Sequence, residues 1–298
     1  MLFDIQRRLT QRLWDGYVGS IPKFSKIFAG SLPALDHYAV IDLTSRHSGI
    51  SYLRQVFELL GFKENGCGYL PEKQNNFVWM LPKETIDKPP AKALPQPIIA
   101  DFRNEELSPK TRAIVEKYAS YEDKYFDLSV LRAALKYAGE GFELAHDVVA
   151  NEVASYLNRR PWPKPTIKEY MAVREENSLL AWVLLFGRRV NHFGMGVYAM
   201  DKYKGLGEFN EYVSKVHGVK LNGEGGLIKG SAALGIEQSS TIGDIVFVDL
   251  GGEIIEVNDS FMEFVWRHPI KEFPKTMGDY YSNFIPANAN KVVESLYI

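Results

Sequence analysis

The sequence predicts an α+β fold in which two βαβββ modules flank an inserted block of helices. The first observation is that His37 and His192 each begin a strand-like apolar stretch, and each follows a short polar residue and precedes an aromatic one. The second is that a helical pattern and then further strand patterns follow both histidines. The third is that residues 105–188 repeat apolar side chains at helical spacing. We therefore expect one large domain over residues 1–298.

The first module is expected over residues 30–82. Alternating residues predict its first strand, with His37, Ala39 and Ile41 on one face. Up to residue 62, the predicted elements are an N-terminal helix at 2–28, the first strand at 35–43 and a helix at 48–62. A strand pair at 67–70 and 76–81 follows, and an extended connector at 82–97 comes after it. The connector contains five prolines, which argue against a helix or a central strand because proline lacks a backbone N–H group.

The inserted block is expected to contain several helices. Thr166 and Glu169 match the capping-box pattern that begins a helix. Eight consecutive apolar residues at 179–186, too few to cross a bilayer, predict a helix that ends at Gly187. The other predicted helices of the block are at 108–118, 129–137 and 142–158.

The second module and the C-terminal tail are expected over residues 189–298. Residues 190–200 alternate as a strand that places His192, Gly194 and Gly196 on one face. Glycine weakens a strand unless something approaches its backbone closely, so we expect an open pocket beside this histidine. The next predicted elements are a helix at 206–216, a glycine-rich loop at 223–230 and a hairpin of strands 243–250 and 253–257. A last strand at 260–266 and a short helix from residue 290 complete the module.

Composition narrows the functional classes. The 298-residue chain is 46% hydrophobic with a net charge of -2, so no overall charge favours nucleic acid or an anionic membrane as a partner. The single cysteine, Cys67, excludes an intrachain disulfide and indicates a reducing compartment. Arginines interrupt the apolar positions of the N-terminal helix, so we expect no signal peptide and a cytoplasmic location.

Three residues are candidate metal ligands. Of the six histidines, His37 and His192 begin strands on faces shared with small or apolar residues. Glu263 lies inside an apolar strand pattern, where a buried carboxylate is costly unless it is paired or bound to a metal. Two histidines and one carboxylate suit non-haem Fe(II). The alternatives are ordinary core hydrogen bonds for the histidines, and solvent exposure or an ion pair with Arg267 for the glutamate.

The chain resembles the 2-oxoadipate dioxygenase/decarboxylase-like family in three segments. They are LNRRPWPKPTIKEYMAVREENSLLAWVLLFGRRVNHFG, IKGSAALGIEQSST and SFMEFVWR. The resemblance implies a vicinal-oxygen-chelate fold, with paired βαβββ modules around a half-barrel sheet that contains a metal ion. The family's metal ligands, two histidines and a glutamate, match His37, His192 and Glu263. These are also the residues that the strand faces select.

The resemblance also implies substrate-side residues. The run EQSS places Gln238 and Ser239 where family members bring polar groups to the site. The tail segment IPANANKVVES places Asn288 on the substrate side. All three are therefore expected to orient a substrate.

One position departs from the family. Members usually carry an arginine four residues after the first histidine, where it binds a substrate carboxylate, and this chain has Ile41. The four-residue offset puts Ile41 on the His37 face, so an apolar side chain is expected inside the pocket. Arg46, near in sequence, and Arg267, on the Glu263 face, are alternative partners for that carboxylate. We favour a changed substrate, a 2-oxo acid with an apolar or aromatic side chain.

The implied activity uses Fe(II), a 2-oxo acid and O2. By resemblance, the 2-oxo acid chelates iron and is oxidatively decarboxylated, and the shortened acid is hydroxylated, so that 2-oxoadipate becomes 2-hydroxyglutarate and CO2. Two alternatives remain open. One is a lyase, isomerase or hydrolase that uses a divalent metal as a Lewis acid, and the other is a non-catalytic binding protein with the same fold.

Overall fold

The computed structural model describes residues 1–21, 32–121 and 126–297. Its strands are β1 (Leu35–Ile41), β2 (Phe62–Leu70), β3 (Asn75–Pro82), β4 (Gln96–Phe102), β5 (Val190–Gly196), β6 (Lys229–Ser231), β7 (Ile236–Ser240), β8 (Ile245–Asp249), β9 (Ile254–Asn258) and β10 (Phe261–Arg267). Its α-helices are α1 (Leu2–Val18), α2 (Ile50–Leu59), α3 (Pro109–Ala119), α4 (Leu128–Gly139), α5 (Glu143–Leu157), α6 (Ile167–Glu176), α7 (Ser178–Phe186), α8 (Leu206–His217) and α9 (Pro286–Val292).

Within these described ranges, eight strands form one curled sheet in the order β2-β3-β4-β1-β5-β10-β7-β6. The centre of the sheet is the antiparallel pair β1 and β5. On either side the arrangement repeats, because β1 pairs in parallel with β4, as β5 does with β10, and the next two strands on each side are antiparallel. This confirms the predicted α+β fold with paired βαβββ modules. The strands β8 and β9 form a separate hairpin inserted into the second module.

Three strands of the sheet, β4, β6 and β7, were not predicted, and β6 begins inside the predicted glycine-rich loop at 223–230. The sequence predicted an extended connector at 82–97, but β4 begins inside it and lies between β3 and β1. Pairing between β4 and β3 covers residues 98–102 of β4, and Pro97 comes immediately before this range. A missing N–H group is tolerated at such a position. The strand β7 was also missed, because it is only five residues long and follows a glycine-rich segment.

The helical predictions agree with the structure more closely. Thr166 and Glu169 form the predicted capping box at the start of α6, and α7 ends at Gly187, which has φ of 83°. The N-terminal helix ends at Val18, and residues 22–28 of its predicted range lie outside the described residues. The last helix starts at Pro286 rather than at residue 290, because proline is favoured in a first helical turn.

The two faces of the sheet pack against different helices. One face packs α1, α2, α5 and α8 around Tyr38, Phe193 and Phe264. The other face carries Ala39 and Ile41, and α3, α6, α7 and α9 contribute to its apolar cluster. No helix in the described part of the chain is both long and apolar enough to span a bilayer. The division into residues 30–82, 105–188 and 189–298 within one domain stays a prediction.

Candidate metal centre

Three neighbouring strands bring the candidate ligands together. His37 lies on β1, His192 on β5 and Glu263 on β10, and all three are at most 5% exposed. His37 Nε2 lies 3.3 Å from His192 Nε2 and 3.3 Å from Glu263 Oε2, and the last two atoms are 3.4 Å apart. Among the described residues, these three form the group of histidine, cysteine and carboxylate side chains that can hold a metal ion.

The triangle of ligand atoms has the size that a metal ion requires. A point equidistant from the three atoms lies about 1.9 Å from each of them in their plane, and a small displacement out of the plane gives about 2.0–2.2 Å, the usual length of bonds from a metal to nitrogen or oxygen. Two imidazoles and one carboxylate are a donor set suited to Fe(II), and the same atoms suit other divalent ions. The site therefore fits a metal ion, and its geometry suits more than one divalent metal.

The registers of the two modules explain why there are three protein ligands. His37 pairs with Gln96 of β4, two residues before Ile98. His192 pairs with Phe261 of β10, two residues before Glu263. Ile98 in the first module therefore occupies the position that Glu263 has in the second. The first module supplies one ligand and the second supplies two, which leaves positions around a bound ion for small molecules.

Each histidine is oriented by the residue before it. His37 Nδ1 lies 2.8 Å from Asp36 Oδ1, and His192 Nδ1 lies 2.5 Å from Asn191 Oδ1. When Nδ1 donates to these oxygens, each Nε2 is left unprotonated and faces the centre. The sequence showed this signal, a short polar residue before each histidine, but it did not reveal the hydrogen bond.

Glu263 is held by a short chain of amides. Gln238 Nε2 donates to Glu263 Oε1 at 2.7 Å, and Asn288 Nδ2 donates to Gln238 Oε1 at 2.9 Å. The bond to Oε1 leaves Oε2 directed at the two histidines. Gln238 also lines the cavity beside the centre. Both amides therefore lie at the predicted site, where they position a ligand, and their predicted role in substrate binding stays a prediction.

The pKa values of the two histidines are shifted in opposite directions. Burial alone would lower the pKa of His37, but Glu263 and a hydrogen bond to Asp36 raise it to about 9. Burial lowers the pKa of His192 to about 3, because the attraction of Glu263 does not offset burial and the positive charge of His37 lowers the pKa further. Burial would raise the pKa of Glu263, yet attraction to the two histidines lowers it. A metal ion therefore competes with a proton chiefly at His37.

Arg267 does not line the cavity beside the centre. Its Nε and Nη2 atoms donate to the two oxygens of Asp36 at 2.6 and 2.9 Å, and its Nη1 donates to the backbone carbonyls of Tyr281 and Asn283. The side chain is fully buried. Asp36 therefore replaces both partners considered for this arginine, a substrate carboxylate and Glu263. The opposite charge keeps the pKa of Asp36 low although burial would raise it.

Two other predicted residues lie away from the centre. Ser239 follows Gln238 on β7 and so points to the opposite face, where its Oγ donates to Asn210 Oδ1 at 2.7 Å. Arg46 lies in an exposed turn after β1 and does not line the cavity. These placements give no support to a substrate-binding role for either residue.

The sequence suggested that the glycines of β5 keep a pocket open for substrate. The structure gives these glycines other neighbours. A β-carbon on Gly194 would lie 2.2 Å from His37 Cε1, so this glycine makes room for the imidazole that pairs opposite it. A β-carbon on Gly196 would meet Tyr198 Cε1 at 3.2 Å. Tyr198 lies in a 3-10 turn after the strand and donates to Asp36.

An apolar cavity adjoins the centre. All three candidate ligands line it, together with Gln238 and Asn75. Its apolar wall comes from β1, β3, β4, the tail and α9, and includes Ala39, Ile41, Phe77, Ile98, Phe284 and Val292. The ring of Phe284 also packs against His37, with centroids 4.9 Å apart. Ile41 therefore lies in the cavity, as predicted, while Asn75 and Phe284 had no signal in the sequence.

The chain is similar to known proteins along most of its length. It is 24% identical over 287 residues to a 2-oxoadipate dioxygenase/decarboxylase of Oryza sativa subsp. japonica, covering 93% of this chain and 72% of the relative. It is 26% identical over 277 residues to the chloroplastic enzyme of that name from Arabidopsis thaliana, covering 88% and 68% of the two chains.

Solved structures share the fold. The hydroxyglutarate synthase of Oryza sativa, solved in complex with 2-oxoadipate, has a TM-score of 0.79 at 23% identity and covers 98% of this chain and 92% of its own. A glyoxalase-superfamily protein from Ralstonia eutropha JMP134 has a TM-score of 0.73 at 16% identity, with coverage of 94% and 85%.

The sequence profile of one family decides the assignment. The profile of 2-oxoadipate dioxygenase/decarboxylase matches residues 26–270, a range that contains all three candidate ligands. This agrees with the resemblance in the three sequence segments and with the fold of the rice synthase. The chain belongs to the 2-oxoadipate dioxygenase/decarboxylase family.

Proposed function

We propose that this protein is an Fe(II)-dependent dioxygenase/decarboxylase that converts a 2-oxo acid and O2 into CO2 and a 2-hydroxy acid one carbon shorter. The observation that carries the proposal is the buried centre of His37, His192 and Glu263, which lines a cavity. The names of the plant relatives and the 2-oxoadipate bound to the rice synthase support the substrate class.

The proposed reaction uses both the metal and the cavity. Iron(II) bound by three protein ligands supplies open positions and reducing electrons for a chelating 2-oxo acid and O2. Gln238 holds Glu263 so that one carboxylate oxygen faces the centre, and Asp36 does the same for the His37 ring. The apolar wall excludes water from the reacting atoms. The overall reaction balances, because both atoms of O2 are retained in the 2-hydroxy acid and CO2.

We also propose that the preferred substrate differs from 2-oxoadipate, because Ile41 occupies the cavity wall. A cytoplasmic location is part of the proposal and is supported by the single cysteine, which suits a reducing compartment. The rice and Arabidopsis relatives are described as plastid proteins.

The test is anaerobic loading with Fe(II), followed by a panel of 2-oxo acids with O2 uptake and CO2 release recorded together. We expect one CO2 per O2 consumed. Glu263→Ala should abolish both signals, and Glu256→Ala, which removes an exposed carboxylate of β9, should leave them unchanged. Turnover without O2 uptake would indicate a lyase, isomerase or hydrolase instead. Metal binding without turnover of any 2-oxo acid would indicate a binding protein.

A further inference from the structure

We propose that the substrate carries one negative charge, so that it is a 2-oxo acid with an apolar side chain and not a dicarboxylate. This inference rests on the proposed function, since it assigns the second half of a molecule whose 2-oxo acid end lies at the metal centre.

The apolar wall of the cavity has no partner for a second carboxylate. Ile41 is 4% exposed and lies on the same strand face as His37, four residues further along β1. Phe77 and Ile98 continue the wall across the neighbouring strands. In the described residues, no lysine or arginine lines this cavity. Asn75, a polar residue of the wall, donates its amide to the backbone carbonyl of Asp101 at 2.8 Å.

The nearby cations have other partners. Arg267 forms two hydrogen bonds with Asp36 and two with backbone carbonyls. Lys229 is 4% exposed and pairs with Gln238 across β6 and β7, but its Nζ donates to the carbonyl of Asn222 at 2.8 Å. Recruiting either side chain for a substrate would break bonds that are themselves buried.

The charges of the buried site balance for a monoanion. Asp36 and Arg267 cancel, because they form a buried ion pair. Glu263 and the carboxylate of a 2-oxo acid together cancel the charge of a divalent metal ion. A second carboxylate would add a negative charge surrounded by apolar side chains, and desolvating it without a partner is strongly unfavourable. An alkyl or aromatic group at the same place is stabilised by burial.

The test compares 2-oxohexanoate with 2-oxoadipate, which has the same six-carbon chain but ends in a carboxylate. Dissociation constants are measured anaerobically by calorimetry with Mn(II)-loaded protein, and kcat/KM is measured with Fe(II)-loaded protein and O2. We expect 2-oxohexanoate to be favoured at least tenfold in both measurements. Ile41→Arg should reverse the preference. Ile245→Arg, the same change at an exposed position of β8, should not.

The outcomes separate this inference from the proposed function. Equal or tighter binding of 2-oxoadipate by the wild-type protein would overturn the inference, and loss of that binding in Lys229→Met would identify the missed cation. Tighter binding of 2-oxohexanoate without turnover of either acid would support the inference and refute the oxygenase function. Because the wild-type comparison needs no variant, poor folding of Ile41→Arg would leave the test intact.

Discussion

Gly194 provides the sharpest test of the metal centre. It pairs with His37 on one side and with Glu263 on the other, so the sheet fixes its distance from both ligands. A β-carbon at this position would lie 2.2 Å from Cε1, 2.4 Å from Nδ1 and 2.8 Å from Nε2 of the His37 ring. Ordinary van der Waals contact starts at 3.4 Å, so Gly194→Ala requires the ring to move by roughly 1 Å.

A movement of that size removes a ligand. Metal bonds to imidazole are about 2.0–2.1 Å long, and a shift of about 1 Å breaks them. Loss of an orienting group around a metal ligand already costs about 10–100-fold in affinity. We therefore expect Gly194→Ala to weaken metal binding by about 100-fold or more, or at least about 2.7 kcal/mol.

The assay is a metal titration in competition with a chelator, with thermal unfolding followed in parallel. Gly196→Ala is the matched control, because a methyl group there would meet Tyr198 Cε1 at 3.2 Å, Tyr198 Cζ at 3.6 Å and Ala34 O at 3.7 Å, all of them farther away than the His37 ring is from a methyl group on Gly194. Its metal affinity should stay within about threefold of wild type. Wild-type affinity in Gly194→Ala, or an equal loss in both variants, would refute the argument that the glycine makes room for His37.

Two further predictions concern the ligand support and the helical block. Gln238→Ala should weaken metal binding about 10–100-fold, because it releases Glu263. Ser239→Ala, on the other face of β7, should leave metal binding unchanged. Chelator competition measures both variants, and equal effects would contradict the assigned hydrogen bond. Burial opposes ionisation of Glu169, but Lys117 and other hydrogen-bond donors lower its pKa from 4.5 to about 2. Since the folded pKa is lowered, its stabilising effect is present above pH 4.5 and is lost as the pH falls towards 2. In denaturant unfolding, Glu169→Gln should lower the free energy of unfolding by about 1 kcal/mol at pH 7, and this difference from wild type should disappear at low pH. A difference that does not depend on pH would contradict this prediction.

Strand alternation made His37 and His192 candidate metal ligands and left ordinary core hydrogen bonds as the alternative. Side chains two residues apart share a face, and this local rule placed His37 with Ile41 and His192 with Gly194 before any pairing was known. Glu263 stood out because a carboxylate inside an apolar strand needs a partner. The family resemblance selected the same three residues, and the structure brings them together.

Contacts between strands could not be predicted in the same way. The ring that fills the space over Gly194 comes from another strand, and only the register of β1 against β5 places it there. Arg267 was assigned to the correct face, but its partner Asp36 lies 231 residues away in the chain. The family resemblance grouped Ser239 with Gln238, and because β7 was not recognised, strand alternation could not separate the two residues.

The most direct test of the account is the position of the bound metal. Crystals of the protein grown anaerobically with Fe(II) are examined by anomalous diffraction at the iron edge. The account predicts a single strong peak within about 2.0–2.3 Å of His37 Nε2, His192 Nε2 and Glu263 Oε2. In Gly194→Ala the occupancy of the same peak should fall sharply. A peak elsewhere, or iron bound without one of these three atoms, would contradict the account.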